Sequence, residues 1–215
     1  MDEEISIINS NTRLENIKNF FLHNKKKLII ILILIIIFIF SFFISKEINS
    51  NKKIEISNKY NEAILSFSNG NTQRAENILN YIIDENDNTY SPLALYFLID
   101  NEIMISRELI NSKFDKIIND LDLENEIKFL VIYKKALFNS DFATENELID
   151  ILSPITNSES IWKSHALYLL GEYFMSKNEK QKAKEFYEKI LALSSGNNKI
   201  KSLTQKRFQN EFVEQ

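Results

Sequence analysis

Two histidines, His23 and His165, are the only imidazoles in this chain, and it has no cysteine. Thiolate metal sites and disulfides are thereby excluded. A helical metal site at His165 needs a second ligand at i+3 or i+4, and Tyr168 and Leu169 stand there. His165, beside Trp162 and Ala166, therefore reads as a structural or surface histidine. His23 stands beside Lys25 at the edge of an apolar run. Glu145 and Glu147 form a carboxylate pair, but in a charged stretch that suits a solvated face better than acid–base chemistry. Three glycines cannot furnish a phosphate-cradling loop. Trp162, the single tryptophan, is of the type that anchors partner peptides, though a lone Trp at a hairpin start is more often core. No catalytic, cofactor-binding or metal-ligating residue is assigned, and the expectation is a protein that is not an enzyme.

Composition bounds the elements that carry these residues. Gly and Pro number only 3 and 2 in 215 residues, which favours helix over a turn-rich β fold. The net charge of -4 supplies no basic face for nucleic acid. An acidic domain favours basic or neutral partners, with its field screened beyond about 8 Å at physiological salt.

Residues 28 to 44 read LIIILILIIIFIFSFFI, interrupted only by Ser41, which can bond back to its own helix. Roughly 17 to 25 apolar residues cross a bilayer, and Lys25, Lys26 and Lys27 can snorkel to lengthen the span. The run exceeds a signal-peptide core, and Ser45-Lys46-Glu47-Ile48 offers no small-x-small cleavage site. Residues 28–45 are therefore expected to be an uncleaved signal-anchor helix in the lipid bilayer. The lysine cluster before it places residues 1–27 in the cytoplasm and residues 46–215 outside, in the periplasm of a Gram-negative cell. Before the span, Ile5, Ile8, Leu14, Ile17 and Phe21 recur at near-helical spacing, interrupted at 9–12, where Ser10 or Asn11 could cap a second helix start.

Behind the span the apolar period is near 3.6. Helices are expected at about 47–68, 71–84, 91–105, 106–120, 124–139, 144–152, 160–176, 179–193 and 198–212. Asn69-Gly70 separates the first pair. Ser91 is read as an N-cap with Pro92 in the first turn, and Ser153-Pro154 as a helix stop. Short turns between helices of this length give hairpins, and hairpins in series give an all-α solenoid.

The sharpest pattern is Leu170-Gly171, then Phe174, Ala183, Tyr187 and Leu191. It resembles the tetratricopeptide repeat, in which small residues (here Gly171 and Ala183) let two helices cross closely while large ones fill the gap. Leu167 stands where that repeat often has Trp, and Ser195 where it often has Pro. A weaker copy has Ala63 and Ala75, again twelve apart, with Gly70 in the turn and Leu79 and Ile82 after it. The stretch from Pro92 to Thr156 keeps the hairpin rhythm without the small residues.

The full layout resembles the bacterial family of membrane-anchored tetratricopeptide repeat-like proteins typified by the ancillary subunit of the SecYEG translocon. An acidic start (Asp2-Glu3-Glu4), a basic-aromatic segment from Lys18 to Lys27, one signal anchor and a degenerate helical-repeat domain carry that resemblance. It implies a scaffold in the inner membrane whose periplasmic domain associates with the Sec translocon and with chaperones of secreted proteins, and it supplies no catalytic residues. The alternative is a self-associating structural or envelope-assembly adaptor with no translocon contact. The sequence sets no oligomeric state.

Overall fold

The computed structural model describes residues 2–212, except that the side chains of 2–17, 21, 28, 42–46 and 49 lie outside the description. The described residues form nine α-helices and no strand: α1 Asp2–Ser68, α2 Thr72–Asp84, α3 Tyr90–Asp100, α4 Arg107–Asp120, α5 Asn125–Asn139, α6 Glu145–Thr156, α7 Lys163–Ser176, α8 Lys180–Ala192 and α9 Asn198–Phe212. The chain forms two compact units, Met1–Glu55 and Ile56–Gln215.

In the first unit, α1 runs through the expected interruption at 9–12, so no helix begins at Ser10 or Asn11. From Ile29 to Phe40 every side chain is apolar and 44–74% exposed. Among the described residues, no helix is long and apolar enough to cross a membrane. The expected span at 28–45 falls partly outside them, because the side chains of Leu28 and of 42–45 are not described.

The second unit is a chain of hairpins. Helices of 11–15 residues are too short to persist alone in water, so each is held by the stripe it buries on its neighbours. From α2 to α9 successive helices of each hairpin pack together, and α5 and α7 also reach past their immediate neighbours to α7 and α9. Rings link α1 to α3, α3 to α5, and α5 to the start of α7. Tyr60 on α1 meets Tyr90 and Phe97 on α3 at 5.7 and 6.4 Å. The Lys134 ammonium on α5 lies over the α3 Tyr96 ring at 5.4 Å. Tyr133 on α5 stacks on Trp162, next to α7, at 5.7 Å. Even-numbered helices are joined by ions: Asp84 on α2 to Lys116 on α4 at 2.7 Å, and Glu145 on α6 to Lys182 on α8 at 2.6 Å.

The core divides into two clusters, one from Ile56 to Val131 and one from Ile132 to Ile190. The division falls between consecutive residues of α5, whose Val131 faces one cluster and Ile132 the other. Ile118 on α4 packs against both.

Helix ends differ from the sequence expectation for identifiable reasons. α3 starts at Tyr90 because Asp87 Oδ1 accepts from the Thr89 and Tyr90 amides at 2.8 and 2.7 Å. Ser91 is therefore not the N-cap. It is buried and donates to the Ile82 carbonyl at the end of α2, 2.9 Å away. α3 then closes at Asp100 rather than 105: Ile103 N–H bonds the Leu98 carbonyl and Glu102 N–H the Ile99 carbonyl, with Glu102 left-handed at φ 52°. Pro154 does not stop α6, which continues to Thr156. Proline leaves the Asp150 carbonyl without its helical donor, and the Ser153 hydroxyl donates to that carbonyl instead, at 3.1 Å. α6 opens with a capping box, Glu147 N–H to Thr144 Oγ1 and Thr144 N–H to Glu147 Oε2.

Glu102 holds a conformation that costs an L-residue roughly 1–2 kcal/mol, partly offset by the greater freedom glycine brings to the unfolded chain. Glu102→Gly is expected to stabilise the domain by about 0.5–1 kcal/mol, seen as a rise of roughly 1–4 °C in the thermal midpoint by circular dichroism. A fall would show that the loop is held by the glutamate side chain.

Candidate functional site

Leu170, Gly171, Phe174, Ala183 and Tyr187 are buried together between α7 and α8. The close approach is between Gly171 and an aromatic ring, rather than between two small residues. A Cβ added at Gly171 would lie inside the contact distance of the Tyr187 ring, 2.8 Å from Cδ1 and nearer still to Cε1. Leu191 is 36% exposed, and Ile190 takes the buried place. Seven residues from Ala183 nearly complete two helical turns, whereas eight overshoot by most of a quarter-turn. Ala63 and Ala75 are buried in the first hairpin, with Gly70 left-handed at φ 80° in its turn.

These positions reveal a third hairpin of the same kind. Ala136 on α5 is buried and stands twelve residues before the buried Leu148 on α6, the spacing of Ala63–Ala75 and Gly171–Ala183. Three residues before each of Ala63, Ala136 and Gly171 is a half-buried tyrosine: Tyr60, Tyr133 and Tyr168. Each ring has an aromatic neighbour (Tyr90, Trp162 and Tyr187 respectively). Burial raises the pKa of all three phenols, so they remain neutral donors. Three odd-numbered helices, α1, α5 and α7, thus present tyrosine at a fixed register. The signal was in the sequence as a Tyr-x-x-small pattern, but it is invisible when only paired small residues are sought.

At the C-terminal end this row meets a charged cluster. Tyr187 hydroxyl donates to Glu172 Oε1 at 2.7 Å. Arg207 on α9 donates to the same carboxylate twice, Nε at 3.1 Å and Nη2 at 2.8 Å. Burial alone would raise the Glu172 pKa, but the bonds from Arg207, Tyr187 and Tyr168 outweigh it and hold the pKa below the usual carboxylate value. Phe208 and Phe212 of α9 pack on the same core cluster, and Lys201 bonds the Leu193 carbonyl.

The other candidates have structural roles. Trp162 stacks on Tyr133, and His165 lies edge-on to Tyr133 at 6.0 Å. Burial lowers the His165 pKa, which the Ile161 main chain partly offsets. Glu145 bonds Lys182 and Glu147 caps α6, so the pair is spent on packing. His23 is exposed on α1. Among the described residues no group of three or more His, Cys, Asp or Glu side chains could hold a metal ion.

Two clefts open on the second unit. One, of 320 Å³, lies among Ser160, Ile161, Ser164 and Asn197. Its hydroxyls are engaged: Ser160 donates to Glu126 at 2.7 Å, and Ser164 accepts from the Asn197 amide at 3.3 Å. The other, of 170 Å³, lies between α3 and α5.

No family model, curated protein or solved structure matches the chain.

Two outcomes follow from this geometry. Gly171→Ala gains about 1 kcal/mol of helix propensity but forces a methyl into a ring that is fully buried and tethered at its hydroxyl. Overpacking of roughly 1–3 kcal/mol wins, so the midpoint should fall, whereas Gly196→Ala, facing the flexible Lys201 stem at 3.2 Å, should leave it nearly unchanged. For Glu172 the depressed folded pKa means its contribution is present above the ordinary value of 4.5 and is lost as pH falls through the folded value. Glu172→Gln should lower stability at neutral pH by about 1 kcal/mol and flatten its decline below about pH 4.5, read from urea midpoints across pH. An unchanged acid limb would remove Glu172 from that role.

Proposed function

We propose that this chain is a membrane-anchored protein-binding scaffold, built as a tetratricopeptide repeat-like solenoid, and that it acts by holding partners rather than by catalysis. The observation that carries the reading is the tyrosine row of the odd-numbered helices: Tyr60, Tyr133 and Tyr168 at one register of three hairpins. Half-buried tyrosines supply rigid apolar area, which suits a polypeptide laid across several hairpins, with the Tyr168 hydroxyl committed to Glu172. The exposed apolar side chains from Ile29 to Phe40 support an anchor at 28–45, since such a surface is stable only when covered. Anchoring raises the local concentration of a weak binder without new contacts.

The layout favours an accessory of the Sec translocon in the inner membrane, its domain in the periplasm and linked to chaperones of secreted proteins. Photo-crosslinking in intact membranes tests this. With a photoreactive residue at Phe38 or Tyr168, adducts with translocon subunits or periplasmic chaperones are expected. Adducts confined to further copies of the chain would replace this reading with self-assembly, and labelling of a Phe38→Cys variant by a membrane-impermeant maleimide would overturn the anchor.

A further inference from the structure

Three side-chain polar atoms among the described residues are buried with no hydrogen-bond partner: Asn80 Oδ1, Tyr96 hydroxyl and His165 Nδ1. Such orphans are uncommon, and each calls for an explanation. Tyr96 differs from the other two because it lines a cleft. The 170 Å³ cleft between α3 and α5 has walls of Tyr96, Ile99, Leu137 and Phe138 and a floor at the buried Phe114. Leu137 is 45% exposed at its edge. Two charges flank it: Asp100, on the surface, and Lys134, whose ammonium lies over the Tyr96 ring.

The volume is below the roughly 300–1,000 Å³ of small-molecule sites, but it suits one large side chain. The walls are apolar, so that side chain is apolar. The flanking charges are opposite in sign and offset one another, so they favour neither sign of occupant, whereas an uncharged peptide unit offers a carbonyl to the donors and an amide to Asp100. We propose that this cleft receives one leucine- or phenylalanine-sized side chain of an extended polypeptide segment, whose neighbouring main-chain carbonyl accepts from the Tyr96 hydroxyl once the flexible Lys134 stem moves aside. Tyr96 is then an orphan in the free protein because its acceptor belongs to the ligand. Leaving a buried hydroxyl unpaired destabilises the free domain, and binding relieves that penalty. Leu137 of the cleft stands four residues after Tyr133 on α5, on the same face of that helix, so the segment would continue towards Tyr133. The inference rests on the protein-binding reading above and specifies what one part of that surface selects.

The probe is a fluorescein-labelled, end-capped glycine–serine peptide with one central phenylalanine, titrated by anisotropy against the full chain in lipid nanodiscs. Peptides centred on alanine, aspartate or lysine serve as controls. Saturable binding is expected for phenylalanine and at least severalfold weaker binding for the controls. Tyr96→Phe keeps the ring and removes the orphan. It should leave the thermal midpoint unchanged or higher, yet weaken the peptide roughly three- to tenfold, the worth of one hydrogen bond. Leu137→Asp, at an exposed position, should abolish binding with the fold intact. A Tyr96→Phe variant that gains stability with unaltered peptide affinity would make the hydroxyl a mere packing defect and overturn the proposal. So would equal binding of all four peptides, or none. If the Tyr168 crosslinks persist in that case, the scaffold stands and only the cleft's role fails; loss of both removes the scaffold reading as well.

Discussion

The Tyr187 ring occupies the space that Gly171 leaves empty, and the last third of the domain is organised around that contact. A fully buried aromatic contributes about 1.5–3 kcal/mol by burial, but its position matters more than its area. With the ring against the α7 backbone, its hydroxyl reaches Glu172, the carboxylate turns to receive Arg207, and α9 is brought over the end of the stack. Any side chain at Gly171 displaces the ring and, with it, the anchor of the terminal helix. A polar bond at the end of an otherwise apolar contact also fixes direction, since a phenylalanine there could slide without penalty.

Elsewhere the two layers are held by different physics. Rings join α1 to α3 and α5 to the start of α7, and ion pairs join α2 to α4 and α6 to α8. The ion pairs are partly exposed: Asp84 and Glu145 keep much of their surface in water, so each pair is worth only about 0–1 kcal/mol and less in salt. The aromatic contacts bury area and are insensitive to ionic strength. The ring contacts therefore hold at any ionic strength, whereas the ion pairs between the even-numbered helices weaken as salt rises.

Much of this was legible from the chain alone. The hairpin rhythm, the turn at Asn69-Gly70 and the burial of Gly171, Ala183 and Tyr187 follow from periodicity and from where small residues fall. The errors lie where one side chain overrode a local rule. Asp87 took the Thr89 and Tyr90 amides, so α3 begins ahead of Ser91, and Ser153 satisfied the carbonyl that Pro154 left bare, so α6 went on. Leu191 lost to Ile190 by one residue because the helical period is not four. Ala136 stands out less in the sequence because the residue twelve positions on is the large Leu148, buried in the same cluster. The cleft at Tyr96 could not be read at all, since its walls come from three helices whose mutual placement no local pattern encodes.

α5 gives Val131 to one cluster and Ile132 to the other. In a stack of near-independent units, fraying at either end would travel inward one hairpin at a time. Here it meets a helix whose loss empties both clusters together. Slow amide exchange should therefore be concentrated at α5, with faster exchange spreading outward to both flanks.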